Sequence, residues 1–197
     1  MLRTPLNLNY MKRTIRPLYA NTQATPKGMF LDPAWAYGVD IYPGMAVQKL
    51  AGNVVTLLGG NSAGAAGSVA YGLSDFFEAP KLGIRQITDS GINACAVWVM
   101  DADAEFQVLA PAFDAAQTWT DPSAGTGGPA TLVCAYTAGP LQGALHPAGI
   151  TGAGGNTAGT APIARLLSVN NISVIGGTAG QTVLGSITIG GLQARTA

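Results

Sequence analysis

Residues 92–100 read INACAVWVM, from Ile92 to Met100, and this stretch decides the fold class. It is apolar almost throughout and includes β-branched and aromatic side chains, a composition that favours a buried strand. Polar turn residues bound it, with Asp-Ser-Gly on one side and Asp-Ala-Asp on the other. The stretch therefore predicts a central strand in a fold built from β-sheet.

Short strands are also predicted on both sides of this stretch. Residues 40–60 predict a hairpin, in which an alternating run at 45–49 turns at 51–53 and returns through 54–58. The other predicted strands lie at 69–73, 106–109, 131–137, 163–175 and 183–192. Because neither a βαβ rhythm nor a solenoid period appears, the sequence predicts a mainly β, compact barrel-like domain of about eight short strands.

The chain is poor in charge and rich in glycine. Only 10% of its 197 residues are Asp, Glu, Lys or Arg, against roughly a quarter in a typical soluble protein. It contains 27 glycines and 12 prolines, which disfavour helices and favour short strands joined by turns. A surface with so few charges is poorly solvated for a free monomer, so we expect a chain that works docked against other protein.

The charges that are present divide the chain into two parts. Residues 1–31 hold five basic side chains and no acidic one, whereas all ten acidic side chains fall within 32–121. Residues 1–38 show no convincing strand or helix period but carry several aromatic side chains, which disordered tails usually lack. We expect an extended, largely irregular basic arm at 1–38 that orders on binding, and a β body at 39–197 with a Gly/Ala/Thr-rich loop at about 138–162. A flexible tail with chance aromatic residues is the alternative.

One motif suggests catalysis, but its surroundings argue against it. The G-x-S-x-G pattern of a nucleophile elbow occurs around Ser62, and chain order would allow Asp101 and His146 to complete a triad. The residues after Ser62 are too rich in glycine for the helix that this motif requires, and His146 lies in a Gly/Ala/Pro-rich stretch. The sequence therefore predicts no enzyme activity. An esterase would instead react with a fluorophosphonate probe and lose that reaction on Ser62→Ala.

Neither a metal site nor a cofactor site is predicted. Carboxylates alternate at Asp101, Asp103 and Glu105, but a solvated turn fits them better than a calcium site because the glycine of an EF-hand loop is missing. Cys95 and Cys134 lie in apolar runs and are expected to be buried free thiols. The N-terminus lacks the apolar core of a signal peptide and no run is long enough for a membrane span, so we expect synthesis in a reducing cytoplasm.

Four segments of the sequence form a recognisable succession. They read YPGMAVQKLAGNVVTL from residue 42, AYGLSDFFEAP from residue 70, GINACAVWVMDADAEFQVLAPAFD from residue 91, and ARLLS from residue 164 with LGSITIGGL ending at residue 192. This succession resembles the head decoration, or cement, proteins of tailed bacteriophages. The resemblance covers about 40–114 and 161–192.

The resemblance implies a β-barrel or β-tulip body on the outer surface of an icosahedral phage head. Its partners would be the major capsid protein and further copies of itself, as a homotrimer at three-fold and quasi-three-fold positions, with neither nucleic acid nor membrane involved. The N-terminal arm would clamp neighbouring capsid subunits. The candidate capsid-binding residues are Arg3, Leu8, Tyr10, Lys12, Arg13, Ile15, Arg16, Leu18 and Tyr19. The candidate contacts between copies are Phe76 and Phe77, which are expected to be exposed. A tail- or fibre-associated adhesin that binds host glycans is the alternative.

Overall fold

The described elements of the chain are β-strands. A computed structural model describes residues 14–19, 27–32, 39–59, 70–77, 94–99, 104–122, 131–173 and 182–191, and this part of the chain contains no α-helix. Within it there is accordingly no helix long and apolar enough to cross a membrane. The strands are β1 Ile15–Tyr19, β2 Lys27–Leu31, β3 Ala46–Lys49, β4 Val54–Leu57, β5 Gly72–Ser74, β6 Ala94–Val99, β7 Glu105–Leu109, β8 Leu132–Ala138, β9 Leu145–Pro147, β10 Thr157–Ala158, β11 Ala164–Ser173 and β12 Thr182–Gly191.

These strands form a closed barrel and an open sheet. The barrel has the order β2-β4-β3-β5-β6 and closes through the pairing of β6 with β2. The seven-stranded sheet has the order β1-β7-β12-β11-β8-β10, and β9 also pairs with β8. The prediction of a mainly β, compact domain is confirmed, with more strands than the eight or so expected.

The two strongest sequence predictions both lie in the barrel. The 92–100 stretch supplies β6, which pairs with β2 on one side and β5 on the other. The predicted hairpin is β3 and β4, in which Val47 pairs with Leu57 across an antiparallel ladder. Val47, Leu57 and Val97 are all fully buried. Gln48 and Thr56 of the same hairpin are buried as well, so both of its faces are covered and not only the apolar one.

Two segments assigned to the arm are strands of the folded body. β1 pairs antiparallel with β7, and β2 lies in the barrel between β4 and β6. Their signals are weak in the sequence because Pro17 interrupts β1, and Gly28 follows Lys27 at the start of β2. These segments are therefore regular strands rather than irregular arm, and residues 1–13, 20–26 and 33–38 lie outside the described part.

The Gly/Ala/Thr-rich stretch at 138–162 is more than a loop. It contains β9 and β10, which both pair with β8. Ala144, Leu145 and His146 are fully buried. Turns supply most of the rest, and Gly139, with φ of +99°, lies in the left-handed region that favours glycine. The expectation of a single loop is therefore corrected: small residues let this stretch fold closely against β8.

The barrel and the sheet share one hydrophobic core, and two glycines bring them together. The core includes Val55 and Val97 of the barrel and Phe106 of the sheet. The Ala46 amide donates to the Gly143 carbonyl at 2.7 Å. A Cβ on Gly59 would lie 1.9 Å from the Thr137 carbonyl oxygen of β8. Only glycine at residue 59 permits this approach of the barrel to the sheet.

We predict that Gly59→Ala destabilises the protein much more than Gly52→Ala does. Both glycines have positive φ, +78° and +72°, so both substitutions carry a backbone cost of about 1 kcal/mol. Nothing lies within 4 Å of a Cβ on Gly52, whereas one on Gly59 meets backbone. The free energy of unfolding, measured by urea denaturation, should fall by a further ~2 kcal/mol or more in Gly59→Ala. Equal losses in the two variants would contradict this account of the barrel–sheet contact.

Candidate functional site

The first described residues attach the N-terminal segment to the body. Thr14 Oγ1 donates to the Pro43 carbonyl, and the Leu109 amide donates to the Thr14 carbonyl at 2.8 Å. Ile15 is buried in the hydrophobic core, where its backbone pairs with Val108 of β7. The position at which the chain enters the body, Thr14, is therefore fixed at the edge of the seven-stranded sheet.

The candidate arm residues fall into three groups. Ile15 packs inside this chain, so its choice as a capsid-binding residue is wrong: the side chain is already used in the core. Arg16 and Leu18 are exposed, Leu18 by 48%, and are available to a partner. Tyr19 pairs with Glu105 through its backbone. The side chain of Tyr19 lies outside the described part, as do the whole residues Arg3, Leu8, Tyr10, Lys12 and Arg13.

The candidate contacts between copies at Phe76 and Phe77 are buried. Phe77 is 1% exposed, and its ring centroid lies 5.2 Å from that of Tyr42. Phe76 is also buried, within the main hydrophobic core. The expectation of exposed rings is wrong, because the chain that follows β5 turns inward and not into solvent. These two side chains serve the fold of a single chain.

Of the residues considered for catalysis and metal binding, only His146 and Glu105 lie in the described part of the chain. His146 is fully buried on β9 and Glu105 lies on β7, while Ser62, Asp101 and Asp103 lie outside the described residues. Within the described ranges, no group of three His, Cys, Asp or Glu side chains could hold a metal ion.

Cys95 and Cys134 are buried free thiols, as predicted. Burial raises the pKa of Cys95 to about 12 and also raises the pKa of Cys134. Because the thiolate is the reactive form of cysteine, both side chains are inert at neutral pH.

A buried polar cluster joins the turn after β7 to β8 and β9. Tyr136 Oη donates to Asp114 Oδ2 at 2.7 Å, and Gln117 Nε2 donates to the same oxygen at 3.0 Å. Trp119 Nε1 donates to the Asp114 carbonyl at 2.8 Å. The ring of His146 lies 4.5 Å from that of Tyr136, between centroids. Sequence analysis did not predict this cluster, because Tyr136 and His146 are distant along the chain from the turn that holds the other members.

The environment sets the charge state of each member of the cluster. Burial alone would raise the pKa of Asp114, but hydrogen bonds from Tyr136, Gln117 and the Ala116 amide outweigh it and lower that pKa. Burial and the hydrogen bond to Asp114 raise the pKa of Tyr136 to about 12. Burial lowers the pKa of His146, although nearby carbonyls and Asp114 oppose that shift. At neutral pH the Asp114 carboxylate accepts hydrogen bonds from neutral donors. These hydrogen bonds stabilise the turn after β7.

Comparison with known proteins identifies a family for this chain. A family model described as phage cement protein matches residues 1–186. The match includes residues 1–13, which carry three basic side chains. No curated protein and no solved structure matches this chain.

We predict that acidification from pH 7 to pH 5 lowers the free energy of unfolding through His146. The unfolded chain binds a proton near pH 6.5, whereas the lowered pKa keeps the folded chain from doing so, so a fall in pH favours unfolding. One such group gives a slope of at most about 1.4 kcal/mol per pH unit. His146 is the chain's only histidine, so His146→Phe should flatten this slope in urea denaturation. The same slope in both proteins would contradict the assignment.

Proposed function

This chain belongs to the phage cement protein family, and from that premise we propose that it binds the outer surface of an icosahedral phage head and holds neighbouring major capsid subunits together. The family makes it a capsid cement protein, with a structural role in the virion. In the proposal its N-terminal arm, residues 1–13, is the clamp. The exposed Arg16 and Leu18 of β1 extend the clamp onto the body.

The distribution of charge supports the arm as the clamp. Residues 1–13 carry Arg3, Lys12 and Arg13 and no acidic side chain, and the family match includes them. A positive segment next to a body that carries the acidic residues favours contact with an acidic surface of a partner. Each exposed ion pair contributes only about 0 to 1 kcal/mol. Apolar side chains such as Leu8 and Tyr10 would add more, and many copies per capsid raise the avidity.

The attachment of β1 to the sheet supports the same proposal. A clamp is effective only if its folded end stays in place when its other end is pulled. Thr14 and Ile15 meet this need, because one is hydrogen-bonded to the turn before β3 and to β7 and the other is buried in the core. The N-terminal arm thus begins at a fixed point of the body.

The remaining parts of the proposal follow from this role. We propose that the chain is made in the host cytoplasm and assembles on capsids in several copies, as homotrimers at three-fold and quasi-three-fold positions. The proposed role requires no enzyme activity and no contact with nucleic acid or a membrane. An adhesin would present exposed Trp or Tyr rings, and among the described side chains none of either type is exposed. The cement role is therefore preferred.

We predict that deletion of residues 1–13 leaves a folded body that no longer co-sediments with capsids. The cut leaves β1 intact, so the free energy of unfolding should change by less than ~0.5 kcal/mol. Deletion of residues 1–25 would in addition remove β1 and Ile15 from the core, and we expect it to destabilise the body. Undiminished capsid binding by the 1–13 deletion would overturn the clamp.

A pair of triple variants separates arm charge from total charge. Arg3→Glu, Lys12→Glu and Arg13→Glu together should weaken capsid binding by roughly 10- to 100-fold, at about 0.5 to 1 kcal/mol for each charge. The control is Lys27→Glu, Lys49→Glu and Arg165→Glu, which changes net charge equally at three exposed positions of the body. This control should bind capsids like the unmodified chain. Equal loss in both triple variants would show that only net charge matters.

A further inference from the structure

The longest strands extend beyond the sheet that contains them. β11 and β12 have ten residues each. β11 pairs with β8 only at Ala164 and Arg165, and β12 pairs with β7 only from Ser186 to Gly190. We call residues 167–173 and 182–185, which pair with neither β8 nor β7, the distal ribbon. Among the described residues its two strands pair only with each other, so each presents an open edge.

The exposed surface of the distal ribbon is uncharged and partly apolar. Val183 is 52% exposed and Leu167 is 36% exposed, the latter beside Gly190. Asn170 and Asn171 are exposed and carry no charge. No formal charge occurs anywhere from residue 166 to residue 194. One side of the distal ribbon is supported by the body, because Val169 and Leu184 pack against the hydrophobic core. Val183 and Leu167 stay exposed, and exposed apolar side chains beside an open strand edge indicate a partner.

The other edges in the described structure are protected against pairing. The barrel is closed and has no free edge. β1 carries Pro17, which lacks an amide donor, and the exposed Arg16. β10 has only two residues. The distal ribbon has neither a proline nor a charge, so it is the one described edge that is both long and open.

We propose that the distal ribbon is a contact surface for a second copy of this chain. A charged partner would have to bury its charges against an uncharged surface, which costs desolvation free energy. An identical ribbon has no charge and avoids this cost. It also supplies the open backbone donors and acceptors that edge pairing needs, with Asn and Ser side chains beside them. Register shifts near Leu167 and Gly185 twist the ribbon, and an identical copy shares that twist. This proposal rests on the proposed function only in that a cement protein acts in many copies.

Sedimentation velocity of the full chain over a range of concentrations tests this contact. Val183→Lys should weaken self-association at least tenfold, because it places a charge in the contact. The matched control is Phe30→Lys on the barrel strand β2, since Phe30 is also 52% exposed. Both variants are first checked for an unchanged unfolding midpoint. A full chain that stays monomeric at every concentration would overturn the proposal. Self-association that Val183→Lys leaves unchanged, or that Phe30→Lys weakens equally, would overturn it too.

Cross-linking on capsids separates this proposal from the proposed function. A Val183→Cys variant places a thiol on the ribbon, while the native Cys95 and Cys134 are buried. With a bis-maleimide, copies bound to capsids should be joined to each other. Cross-links to capsid protein alone would assign the ribbon to the capsid and overturn the proposal. If the chain does not bind capsids, the proposed function fails, and sedimentation still decides the ribbon.

Discussion

The pairing of β1 with β7, with Ile15 buried behind it, fixes the chain where its basic N-terminal residues leave the body. A force on those residues passes into the seven-stranded sheet through backbone hydrogen bonds and into the core through one aliphatic side chain. Because the barrel and the sheet share that core, the force is spread over both. In the proposed clamp, a body with few surface charges thereby holds the charged residues 1–13 in place. Cement function, in this account, depends on how the arm is attached as much as on what it contacts.

Much of the fold could be predicted because its central strands carry their own signal. The β6 stretch is apolar between polar turns, and the β3–β4 hairpin alternates around a Gly-Asn turn, so composition and period agree there. The resemblance to phage cement proteins, noted from the succession of segments, agrees with the family match over 1–186. Shortage of charge also pointed correctly to a protein that works within an assembly. Each of these features is local, or is an average over the chain.

Features that depend on distant contacts could not be predicted. The sequences of β1 and β2 show no strand period. These segments become strands because β7 and the barrel offer them a pairing edge. Phe76 and Phe77 follow a short strand in a polar context, and only the path of the chain shows that they point inward. Asp114 meets Tyr136 across 22 positions. For the same reason the sequence predicts two ordinary strands for the distal ribbon. Its open edges become evident only when the neighbours of each strand are known.

The central claim is that residues 1–13, attached through β1, hold neighbouring capsid subunits together. Cryo-electron microscopy of capsids decorated with the full chain tests it most directly. The account predicts density for residues 1–13 that runs from one capsid subunit to the next, while β1 remains paired with β7 in the body. A map in which the body alone contacts the capsid, and residues 1–13 touch neither subunit, would contradict it.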